Sequence, residues 1–202
     1  EETGLRIAPQ ALAAGWRAVE IAGDGSPAED RGCSFKGGGK DDVAFTGQAK
    51  YWRMGEGAYA ASIEMVVTAE RTYAAFGVSI AMPYDDYAGG RFKTDALNRG
   101  IPGLQDKPKA WLGGGETRIA SFQRADGGGT IAFTFAEPVR FSVQDARKSG
   151  GGLLLRLGEG SAGKPLPIGH VFKTDFTFTI PEEAQIVYDD IVSIAAGPEW
   201  IP

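Results

Sequence analysis

The segment AAFGVSIAM, residues 74–82, sets the period by which the rest of the chain is read. Phe76, Val78, Ile80 and Met82 fall on one side of an extended backbone; Ala75, Gly77, Ser79 and Ala81 fall on the other. A period of two marks a strand with one buried face, whereas a helix would repeat its apolar residues at three and four. The stretch just before it, ASIEMVVTA at 61–69, sets Ala61, Ile63, Met65, Val67 and Ala69 against Glu64 and Thr68. A short turn over residues 70–72 is expected to join the two as an antiparallel hairpin. Pro83 follows Met82 directly and, having no backbone N–H, is expected to stop the ladder there.

The same period recurs outward from this core. TIAFTFA (130–136), VRFSVQD (139–145), GLLLRLG (152–158) and FKTDFTFTI (172–180) each place apolar residues on one side. LRIA, WRAVEIA, VAFT, QAKYWRM and TRIASFQ are earlier candidates, and QIVYDDIVSIAA (185–196) reads as a last strand bulged at Asp189-Asp190. Many one-sided strands imply antiparallel sheets with one wet face. The expected fold is all-β, a large two-sheet antiparallel β-sandwich of jelly-roll or super-sandwich kind. Glycine runs at 37–39, 113–115, 127–129 and 150–152 read as turn closers. Short helices are expected at PQALAAGW (9–16) and TDALNRG (94–100), and a long loop from Glu159 to His170.

A chain of 202 residues with 43% hydrophobic content can bury a core without metal or disulfide staples. Its one cysteine, Cys33, rules out an internal disulfide. No linker composition divides residues 1–202, so a single domain is expected. The start without methionine and the apolar end at Trp200, Ile201 and Pro202 suggest a domain excised from a longer chain. A net charge of −5 without a basic patch argues against nucleic acid as partner, and no apolar run is long enough to span a bilayer.

Catalytic signatures are sparse. No GxSxG elbow or phosphate-binding glycine loop occurs, and one histidine (His170) with one cysteine cannot make a clustered zinc site. Calcium needs six to eight oxygens, which adjacent aspartates on loops can begin to supply. The leading metal candidates are Asp85 and Asp86; Asp41-Asp42, Asp189-Asp190 and Asp24 with Asp30 are others. Structural calcium is thus the one cofactor suggested. Sugar binding needs flat aromatic faces beside planar polar groups. Trp52, Arg53, Tyr84, Tyr87, Arg91 and Trp111 are the ligand-binding candidates on that ground, with Tyr51 and Tyr59 as further aromatics.

FGVSIAMPYDDYAGGRFKTD, then VRFSVQDARKSGGGLLLRL and FKTDFTFTIPEEAQI, form a recognisable layout. A strand, a proline and a Gly-Arg-Phe loop are followed by a Gln-Asp-x-Arg strand end. Over about Ala61 to Ile194 this resembles the β-sandwich accessory domains of bacterial carbohydrate-active enzymes. Such domains precede a catalytic barrel or toroid. The resemblance implies a non-catalytic domain of an exported, extracellular or periplasmic, polysaccharide-processing protein. Its partner would be carbohydrate or an adjacent catalytic domain. No catalytic residue carries over. The alternatives are a stand-alone glycoside hydrolase or polysaccharide lyase using a concave sheet, and a structural cell-surface module.

Overall fold

Most of the alternating segments become strands because each can satisfy its backbone groups in a ladder while burying one face. The computed structural model describes residues 5–23, 32–39, 42–160 and 163–181. In chain order the strands are β1 (Arg6–Ala13), β2 (Arg17–Ala18), β3 (Ile21–Gly23), β4 (Gly32–Gly39), β5 (Asp42–Gly55), β6 (Ala58–Val67) and β7 (Tyr73–Met82). After the single helical turn α1 (Tyr84–Tyr87) come β8 (Arg91–Thr94), β9 (Asn98–Gly100), β10 (Gly113–Gln123), β11 (Thr130–Asp145), β12 (Leu153–Glu159) and β13 (Val171–Thr179). β7 ends at Met82, immediately before Pro83. No helix among the described residues is long and apolar enough to cross a membrane.

All ladders among the described residues are antiparallel, so the fold is all-β. They form one curled sheet in the order β2-β1-β7-β12-β11-β13-β6-β5-β4-β3, with β10, β8 and β9 branching from β11. β11 holds β10 along one edge and shares its other edge. Residues 132–135 pair with β13, and residues 141–145 pair with β12. The change of partner coincides with a bulge, because Thr117 faces Val139 while Ile119 faces Thr134. Pro138 sits in the bulge, where no ladder donor is needed. Arg118 fastens it by donating to the Ala136 carbonyl at 2.8 Å and to Glu137 at 3.1 Å.

The two ends of this sheet meet. Only Val19 and Glu20 separate β2 from β3. The Val19 N–H donates to Ala11 of β1, and the Gly38 N–H of β4 donates to Glu20, both at 3.0 Å. Side chains confirm the curl. Phe45 of β5 meets Phe76 of β7 edge-to-face with centroids 5.4 Å apart, although the two strands are five steps apart in the sheet order. Phe133, Phe176 and Phe178 continue the apolar interior, with Ile63, Met65, Ile80, Val143 and Leu155 fully buried.

Several local expectations change. β6 and β7 are not a hairpin; β6 lies between β13 and β5, and β7 lies between β1 and β12. The intervening residues pass at the surface from β6 to β7, held where Thr68 and Ala69 donate to the Ala44 carbonyl and Arg71 pairs with Asp42. TIAFTFA and VRFSVQD are one strand, β11. PQALAAGW and TDALNRG are not helices: the first is mostly β1, paired along β7, and the second ends in β9. There, pairing overrides helix propensity. The glycine runs at 127–129 and 150–152 do close the β10–β11 and β11–β12 hairpins, but those at 37–39 and 113–115 lie inside β4 and β10. The expected strand at 185–196 lies outside the described residues.

Candidate functional site

Half of the curled sheet turns one face outward. Successive strands set Arg6, Ala8, Gln10 and Leu12 of β1 beside Ala75, Gly77, Ser79 and Ala81 of β7, in register. Ser79 lies opposite Arg156 of β12, Arg156 opposite Ser142 of β11, and Ser142 opposite Gly114 of β10. The next row carries Gly77 opposite Gly158, and Arg140 opposite Glu116. This face forms an open groove of about 500 Å³.

Its floor is low where Gly77 faces Gly158. A Cβ on Gly77 would stand 2.1 Å from the Leu157 carbonyl oxygen, and one on Gly158 would stand 2.2 Å from that of Phe76. Both residues have positive φ, 152° and 126°, so the bare backbone here is required by conformation as well as by space.

Two tryptophans flank this floor. Trp16 sits in the β1–β2 turn and is 60% exposed; Trp111, just before β10, is 59% exposed. Both line the groove, together with Gln10, Arg140, Gln144 and Arg156. Trp16 is the one non-glycine residue with positive φ, 63°, among the described residues. The conformation costs a bulky residue about 1–2 kcal/mol. The Arg156 guanidinium lies 5.6 Å from the Trp16 ring centroid, within cation–π range. Burial pulls the Arg156 pKa below its ordinary value. The Trp111 ring lies over Gly114, where a Cβ would come within 2.4 Å of it. Arg156 and Gly114 are two strand spacings apart, about 10 Å.

The loop that presents Trp111 is anchored from the end of β11. Gln144 lines the groove, and its neighbour Asp145 points inward with no exposed side-chain surface. Asp145 accepts from the Lys109 N–H at 3.1 Å and from Arg147 Nε and Nη2 at 3.0 and 2.8 Å. Arg147 in turn donates to the carbonyls of Gly103, Leu104 and Asp106. Burial pushes the Asp145 carboxyl up, but the bonds from Arg147 and Lys109 outweigh it and hold the group below its ordinary range. The Gln-Asp-x-Arg strand end is therefore a clamp on the aromatic loop.

The chain matches no family model and no curated protein.

The residues picked from sequence fall in separate places. Of them, only Trp111 lines the groove. Trp52 and Arg53 lie at the far end of β5, where Trp52 is 44% exposed and Arg53 Nε donates to Gly55. Tyr84 and Tyr87 are 5% and 3% exposed, so neither ring offers a stacking face to solvent. Tyr84 donates its hydroxyl to Pro102 and lies beneath the Arg147 guanidinium at 4.0 Å, while Tyr87 packs edge-on against Phe122. Burial, with help from the charges of Asp145 and Asp86 respectively, pushes each phenol up to about 12. Arg91 bonds Asn98 across β8 and β9.

Asp85 and Asp86 lie within the α1 turn; Asp86 is paired with Arg124 at 3.2 Å. Among the described residues no three acidic, histidine or cysteine side chains converge as a metal site. Asp24, Asp30, Asp41 and Asp189-Asp190 lie outside those residues. His170 contacts Glu159 at 2.5 Å. Sequence reasoning missed Trp16, Gln10, Arg140, Gln144 and Arg156. The signal for Trp16 was a tryptophan directly after glycine in a stretch mistaken for a helix end.

Proposed function

We propose that this chain is a non-catalytic carbohydrate-binding domain of an exported polysaccharide-processing protein. In this reading the curled sheet works as a two-layer β-sandwich of the jelly-roll or super-sandwich kind, and glycan lies in the groove across β7, β12, β11 and β10. The observation that carries it is the pair Trp16 and Trp111, both exposed and both lining one groove with a flat backbone floor. Aromatic faces stack on the C–H faces of sugar rings, and Gln10, Gln144, Ser142 and the two arginines supply planar or hydroxyl hydrogen-bonding groups. Binding is favoured over hydrolysis because only two carboxylates line the groove and one of them, Glu159, is already in contact with His170. Glycosidase chemistry needs two carboxylates poised on either side of one bond.

The test is affinity electrophoresis and calorimetry against a panel of soluble polysaccharides. Trp16→Ala and Trp111→Ala should each weaken binding by about tenfold, as expected for loss of one aromatic stacking contact. Trp52→Ala should not change it, and no reducing sugar should be released. Unchanged affinity in both groove variants, or no binding across the panel, would refute the proposal.

A further inference from the structure

Resting on that reading, we infer that the groove takes an acidic glycan, one bearing carboxylate or sulfate-ester groups, and that Arg156 receives the anion. Arg71, Arg118, Arg124 and Arg147 each pair with a carboxylate: Asp42, Glu137, Asp86 and Asp145 respectively. Arg156 differs. Its cross-strand neighbours are Ser79 and Ser142, both uncharged. It is half-buried, and its Nε is buried without a hydrogen-bond partner. An unpaired charge partly out of water is costly, and an anion in the groove would neutralise it and accept from the terminal N–H groups of the guanidinium. The planar guanidinium suits a carboxylate or sulfate group with two parallel bonds. Trp16 stands over the same guanidinium, so one sugar could stack on the indole while its acidic substituent reaches Arg156. Arg140 adds positive charge at the rim, partly offset by Glu116 opposite it.

The experiment measures affinity of the whole chain for matched polymers: polygalacturonate against its carboxyl-reduced neutral form, and dextran sulfate against dextran. The wild type should prefer an acidic member by about tenfold or more, as for a hydrogen bond to a charged group. The first pair reports carboxylate and the second reports sulfate. Arg156→Gln should abolish the preference with its melting temperature unchanged, and Arg156→Lys should retain a salt-sensitive part of it. Trp111→Ala should weaken acidic and neutral polymers alike. If Arg156→Gln melts early, the Lys variant and the salt dependence of the wild type decide the question. Equal affinity for acidic and neutral polymers, or a preference that survives Arg156→Gln, overturns the inference and leaves carbohydrate binding standing. No binding to any polymer overturns both.

Discussion

Asp145→Asn tests whether the clamp beneath the Trp111 loop is a fixed part of the fold. The carboxylate accepts four bonds, from Lys109 N, Arg147 N, Arg147 Nε and Arg147 Nη2. Asparagine keeps one acceptor oxygen and turns the other into a donor facing those groups. Two bonds are lost and the largely buried Arg147 guanidinium is left without its counter-charge. Hydrogen bonds to charged groups contribute about 1.5–3 kcal/mol each, and breaking a buried ion pair costs about 3–5 kcal/mol in all. For a chain of this size that lowers the melting temperature by about 6–20 °C.

The effect carries a pH signature. The folded-state pKa of Asp145 lies below its ordinary 3.8, so its stabilisation is fully present above the unfolded value. It is lost as pH falls through the folded value. Wild type and variant, melted by circular dichroism from pH 7 downward, should differ most above about pH 5 and converge below about pH 4. A gap under about 2 °C at pH 7, less than the shift expected for even 1 kcal/mol, would refute the clamp. A gap that did not narrow on acidification would show that its cause was not the carboxylate charge.

Trp16→Gly should separate stability from binding. Glycine relieves about 1–2 kcal/mol of left-handed strain but loses about 0.4–1 kcal/mol to the unfolded chain and some indole packing, so stability should stay within about 1 kcal/mol of wild type. Glycan affinity measured in parallel should fall about tenfold; equal loss of both would make Trp16 a structural residue. Gly158→Ala should lower the urea midpoint, at a cost of about 2–5 kcal/mol, because its Cβ would strike the Phe76 carbonyl at positive φ. An unchanged midpoint would mean that the groove floor is softer than described.

The strand period was legible because it depends only on which side chains are apolar. Phe76, Val78, Ile80 and Met82 are buried as their spacing requires. The partners were not legible. Nothing in residues 70–72 distinguishes a hairpin from a crossing, because alternation specifies a face and leaves the neighbouring strand open. The reading of β11 as two strands failed for a related reason: Pro138 breaks a ladder only if its N–H is needed, and the bulge removes that need. The site was half legible. Trp111 stood out beside its glycines, whereas Arg156 looked like any polar residue in GLLLRLG. Its unpaired state depends on Ser79 and Ser142, which sequence alone could not set beside it. Tyr84 and Tyr87 were attractive as loop aromatics, but a single helical turn folds both rings into the core.

The Val19–Glu20 seam has a consequence for how this molecule can be opened. While the chain is intact there, β2 covers the Leu12 and Ala13 end of the outer rim of β1, and β3 covers Phe35 to Gly37 of β4. A protease nick or a circular permutation at this point would leave those partners only two and three residues long. Such short pieces fray, and the eight-residue strands β1 and β4 would then lose the partial cover that joins their rims. Each rim could accept a strand from another copy, so severing the chain just after the Trp16 turn would convert a sheet whose two ends meet into a unit for strand exchange.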